Sequence, residues 1–134
     1  VPARAVTTHT LFCLREALPH RRQLLLAALL NSLVANYLVR LRVHTHVTAS
    51  IMARLPVPVI EDASPAAMRL SELAERLSAA TEPVETMPQY VELQALVARL
   101  YGLSIEEFAH VVGTFPLIAP EVRAAAVGRL KDRY

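Results

Sequence analysis

The sequence predicts a mainly α protein with two or three short β-strands, an α+β arrangement in which a long buried helix precedes a tail of about four helices. Three observations carry this expectation. The stretch LLLAALLNSLVANYLVRLR, residues 24–42, overlaps a run of 17 uncharged positions from Gln23 to Val39, closed by Arg40 and Arg42. Beyond residue 61, serine, proline and glycine recur at the spacing of helix ends. Short β-prone stretches flank the long run at residues 10–15 and 55–60.

Residues 10–15, TLFCLR, are apolar and β-prone and read as a strand. Pro19 and the polar run after it break that strand and lead into the long helix. On a helix, Leu26, Leu30, Leu33, Tyr37 and Leu41 form one stripe of large side chains, while Ala28, Ser32, Ala35, Asn36, Val39 and Arg42 form a smaller, more polar stripe nearly opposite. Asn31, Ser32 and Asn36 at mid-span argue against a membrane span, which needs about 20 predominantly apolar residues. A helix packed on both sides in a core fits better. Residues 43–48 form a loop, and Thr48 caps a short helical turn reaching Arg54. Leu55-Pro56-Val57-Pro58 cannot be helical, because each proline holds its predecessor extended, so residues 55–60 read as an edge strand or extended exit segment. Ser64-Pro65 then starts a helix lined by Leu70, Leu73 and Leu77. A proline-containing loop follows. The next helix, from about Pro88 to Tyr101, buries Val91, Leu93, Leu96, Val97 and Leu100 and stops at Gly102. Ser104-Ile105-Glu106-Glu107 is a capping box for a helix ending at Gly113, and Pro120 opens the last one.

This change of text near residue 60 suggests two parts, residues 1–60 and a helical tail over residues 61–134. Charge divides at the same place. The first part carries seven arginines against Glu16 alone, and the second carries seven basic against eleven acidic side chains. Such asymmetry favours a polyanion at the basic part, or arginines that pair with acids of the second part across an interface. With 54% hydrophobic and 19% charged residues the chain is far from disorder. The lone Cys13 excludes an intramolecular disulfide framework and suggests a reducing, cytoplasmic setting. No basic-then-apolar leader opens the chain, and a start at Val1 fits a piece of something longer.

No catalytic constellation is legible. The three glycines stand at or near helix ends and build no phosphate loop. His44 and His46 could face one way on a strand, but a zinc site needs more well-placed ligands, and polar loop histidines are the better reading. The candidate nucleic-acid-binding residues are Arg21, Arg22, Arg40, Arg42, His44, Thr45, His46 and Thr48. Arg40 and Arg42 suit the helix C-terminus through its dipole. Arg21 and Arg22 oppose the dipole at the other end, and a polyanion would give them a reason to be there. Guanidinium and hydroxyl groups are the donors that phosphate backbones take.

The run LLAALLNSLVANYLVRLRVHTHVTASIMARLPVP, residues 25–58, resembles the C-terminal edge of the target-recognition region in adenine-specific DNA methyltransferases of large single-chain type II restriction-modification systems. More distantly it resembles type I specificity subunits. The shared pattern is an apolar strand, a helix carrying Leu30-Asn31-Ser32, a polar turn, and an exit through Leu55-Pro56-Val57-Pro58. The later run LVARLYGLSIEEFAHVVGTFPLI, residues 96–118, looks like the helical tail of the larger enzymes. The resemblance implies a parent enzyme that uses S-adenosylmethionine on double-stranded DNA. The family's Asn-Pro-Pro-Tyr catalytic motif and cofactor glycine loop are absent from this chain, so no cofactor is expected in it. Its expected partners are duplex DNA, the remainder of the parent polypeptide and, through exposed apolar surface, a second copy. The alternative is a helical interaction or oligomerisation module with no DNA contact.

Overall fold

A computed structural model of the chain describes residues 16–43 and 46–132. Among these residues the fold is all-helical, with seven α-helices and one 3-10 turn. The helices are α1 (His20–Leu30), α2 (Leu33–Arg40), α3 (Ala49–Ala53), α4 (Pro65–Ser78), α5 (Pro88–Leu100), α6 (Ile105–Gly113) and α7 (Pro120–Lys131), and the 3-10 turn is Val84–Thr86. The expected α+β class is therefore corrected to all-α. The strand expected at residues 10–15, with Cys13 in it, lies outside the described residues. Residues 56–61 take no regular secondary structure and join no ladder. Pro56 and Pro58 have no N–H to give one, and no strand lies among the other described residues to receive it. The segment is held instead by the Tyr101 hydroxyl, which donates to the Pro56 carbonyl at 2.9 Å.

The long helix is the second correction. It is two helices bent by 61°, and no proline makes the bend. Asn31 turns its amide back to the Ala27 carbonyl at 2.9 Å, where the Asn31 N–H also ends. Ser32 adopts extended backbone angles and restarts the helix as an N-cap. Its hydroxyl donates to the Leu29 carbonyl at 2.7 Å and accepts from the Ala35 N–H at 3.1 Å. The Leu33 N–H, orphaned at a helix start, is taken by the Gln94 side-chain oxygen of α5 at 2.7 Å. Asparagine and serine compete locally for backbone groups, and here they win because α5 supplies the remaining acceptor.

The bend also resets which face is buried. The large stripe predicted for a straight helix holds only in part: Leu33 is 6% exposed, whereas Leu30 is 38% and Leu41 64% exposed. Of the small stripe, Ala28, Ser32 and Ala35 are at 1% exposure or less, while Asn36 and Arg42 are exposed. Leu25 and Leu29 are buried beside the first three. α1 packs on α4, α4 on α5, α5 on α7, and α6 on α7 and α2. One core gathers Leu25, Leu29, Leu33, Leu70, Leu73, Leu93, Val97, Phe108, Val112 and Ala126, and so draws on both sides of residue 60.

The remaining helices start and stop where the punctuation said. Ser64 caps the Ala67 N–H with Pro65 at the first helical position. Ser104 and Glu107 close a reciprocal capping box. Gly102 takes φ +69, a left-handed turn that ends α5. Arg69 ties α4 to α5 by donating to both Glu92 oxygens, at 2.7 and 2.8 Å, and it also reaches Glu72 at 3.0 Å. These two carboxylates, Glu92 foremost, raise the Arg69 pKa above its ordinary range. Among the described residues no single helix is long and apolar enough to cross a membrane; only the bent pair α1 and α2 reaches that length together.

Candidate nucleic-acid interface

The predicted cations divide into two groups at opposite ends of the bent pair. With 1.5 Å per residue, the ends stand roughly 25 Å apart, so they do not make one patch.

At the α1 start, Arg22 donates to Asp62 from Nε at 2.7 Å, and its Nη2 lies 2.6 Å from the same oxygen. The acid from the α4 approach supplies the local partner that the sequence neighbourhood lacks. The pair is half exposed and of small energetic value, but it neutralises the cation. Neighbouring His20 lies 4.0 Å from Glu75. Arg21 is exposed, and its carbonyl accepts from the Ser71 hydroxyl at 3.3 Å. Nothing binds its guanidinium to a carboxylate among the described residues.

At the α2 end the cations are held differently. The Arg40 guanidinium lies 4.8 Å from the centroid of the Phe115 ring, and its Nη1 donates to the Thr114 carbonyl at 3.3 Å. Arg42 Nη1 donates to the Leu38 carbonyl at 2.9 Å, one of the last carbonyls of the helix. Both side chains are oriented by neutral partners, a ring face and backbone oxygens, and no carboxylate among the described residues offsets their charge. Both residues are exposed. Cation–π stacking and carbonyl bonds restrict the rotamers of long side chains without cancelling what an anion would feel. Beside them, the Tyr37 hydroxyl is 3.4 Å from His110 Nε2 and the two rings meet edge to face.

The loop residues are less organised by the fold. Thr48 is exposed, but its hydroxyl is occupied as the cap of α3, accepting from the Ile51 N–H at 3.3 Å. His46 is exposed. His44 and Thr45 lie outside the described residues. The structure thus gathers Arg40 and Arg42, separates Arg21 and Arg22 from them, and gives Thr48 a structural duty.

Phe115, Thr114 and His110 were missed as site residues by sequence reasoning. Each lies more than 70 positions from its partner on α2, beyond the reach of any local periodicity. The one available signal was the apolar loop Phe115-Pro116-Leu117-Ile118, which has to rest on something. Among the described residues no group of three or more His, Cys, Asp or Glu side chains is placed to hold a metal. Comparisons with protein-family models, with curated proteins and with solved structures return no match.

Proposed function

We propose that this chain is a non-catalytic part of a restriction-modification adenine DNA methyltransferase, in which it helps to position duplex DNA and braces the enzyme. The observation that carries this reading is the Arg40–Arg42 end of α2. Two exposed arginines are fixed there by a ring face and two carbonyls, and among the described residues neither is paired with a carboxylate. Pre-oriented, uncompensated guanidinium groups are what phosphate oxygens pair with. Such contacts set the register of a protein on the duplex without reading bases. The catalytic motif and the S-adenosylmethionine site belong to other residues of the parent polypeptide.

The test is the affinity of the chain for duplex DNA at low and moderate salt. Arg40→Ala with Arg42→Ala should weaken binding uniformly across sequences, whereas Arg22→Ala should change it little because Asp62 already neutralises that cation. Equal losses from the two ends, or affinity that ignores salt, would refute the reading.

A second reading, a helical docking module, is favoured by a different observation. Val59 and Leu117 are fully exposed, Leu41 largely so, and Val57 about half. Large apolar side chains left in water suit a surface that rests on another domain or on a second copy. Light scattering addresses it: a monomer at high concentration counts against self-association.

A further inference from the structure

The end of α2 that carries Arg40 is completed by α6. Arg40 Nη1 donates to the carbonyl of Thr114, the residue that closes α6. His110 stands four residues before Thr114, on the same side of that helix. Tyr37 stands three residues before Arg40, on the same side of α2. The two earlier residues meet as the later two do: the Tyr37 hydroxyl is 3.4 Å from His110 Nε2, and the ring centroids are 6.0 Å apart. His110 therefore lies about one helical turn, roughly 5 Å, from the point where Arg40 reaches α6. Charges act over that distance even in physiological salt. The residue is exposed.

The chemistry of this pair changes with a proton. In the neutral tautomer that carries its hydrogen on Nδ1, Nε2 accepts from the Tyr37 hydroxyl; in the cation both ring nitrogens donate and the phenol oxygen accepts. Imidazoles cross between these forms as pH falls from about 8 to about 5. The charged and titratable groups around His110 are Tyr37 and Arg40 on α2, Glu106 one turn back on α6, and Glu107, whose carboxylate accepts from the Ser104 N–H. From α7, Arg123 lies along Ala109 and Gly113. No carboxylate pairs with His110 among the described residues. Once protonated, His110 is a third cation on the α2–α6 seam, opposed by Arg40 in the free chain and relieved by a phosphate. Proton uptake and phosphate binding then favour each other. We propose that His110 is a third phosphate contact of this end, made when its ring is protonated, so that the seam grips a duplex backbone more tightly as pH falls. The inference rests on the reading of this end as a DNA contact.

The experiment measures the salt dependence of affinity for a short DNA duplex at about pH 8 and about pH 5.5, for the full chain and for His110→Gln. Each phosphate contact adds about 0.9 to the exponent, so the unaltered chain should go from about 1.8 at the higher pH to about 2.7 at the lower. His110→Gln should stay near the lower value at both. An exponent that does not rise, or one that rises equally in His110→Gln because His20 or His46 takes the proton, overturns the inference and leaves the reading of Arg40 and Arg42 standing. An exponent near zero at both pH values overturns that reading and this inference with it. NMR titration of the His110 ring in the unaltered chain is the second measure, and it decides the matter should His110→Gln fail to fold. The midpoint should move to higher pH when duplex is added; an unmoved midpoint overturns the contact.

Discussion

Ser32→Ala tests the bend on which the fold turns. The hydroxyl is completely buried and has two partners, the Leu29 carbonyl at 2.7 Å and the Ala35 N–H at 3.1 Å. Losing an N-cap alone costs about 1 kcal/mol. Here the Ala35 N–H would also lie in a protein interior with no acceptor, which adds about 1 kcal/mol or more. A total of about 2 kcal/mol follows, seen as a melting temperature lower by roughly 6–10 °C for a chain of this size. Urea unfolding measures it directly, with an unchanged denaturant slope showing that the native state keeps its compactness. The bend itself should survive, because the Leu33 N–H still has Gln94. A cost below about 0.5 kcal/mol, the level of an ordinary surface change, would mean that a straight helix is nearly as good and that Ser32 does not hold the bend.

Three further outcomes follow from single observations. Gly102→Ala should cost about 1 kcal/mol through backbone strain alone, since φ is +69 and a Cβ there would meet nothing within 4 Å; Gly102→Asn should recover part of it in the same urea assay. Burial raises the Tyr101 pKa above the ordinary phenol value of 10.0. A raised folded-state value means that stability is fully present below pH 10 and declines as pH climbs through the folded pKa, and Tyr101→Phe should flatten that alkaline decline while losing the bond to Pro56. Glu92→Gln leaves Arg69 one amide oxygen there and Glu72 as its remaining carboxylate, and should cost about 1 kcal/mol, because the arginine is partly exposed and screened.

How much of this was legible in the sequence depends on how local each signal is. Ser64-Pro65, Ser104 with Glu107, and Gly102 act within four residues of themselves, and the helix ends they mark are where the structure has them. The Asn31-Ser32 break was also written locally, in residues that prefer caps to helix interiors. Unbroken hydropathy on both sides outweighs that signal, and the Gln94 acceptor that completes the break is 61 positions away. Reading a straight helix then carried the register of α1 into α2 and put Leu41 on a buried face. The second expected strand failed for a different reason. Proline excludes helix there, but it does not create a neighbour for a strand to pair with.

The same distance problem governs the candidate interface, and it changes the expected salt dependence. Counted along the sequence, two arginines at each end of the long helix suggest four phosphate contacts, hence affinity falling with roughly the 3.6th power of salt concentration. Asp62 removes Arg22 from that count. The bend and the helix lengths put the two ends on separate parts of the molecule, so a duplex seated on the α2 end meets Arg40 and Arg42. Two contacts predict an exponent of about 1.8. Measuring binding over a series of salt concentrations separates the cases. An exponent near 3.6 would require both ends of the bent pair to lie on one duplex, with the Arg22–Asp62 pair opened in the complex. An exponent near zero would remove phosphate contacts from the chain altogether. Arg40→Ala should lower the measured exponent by about one, and because stability itself varies with salt, circular dichroism at each salt concentration separates this loss of a contact from loss of folding.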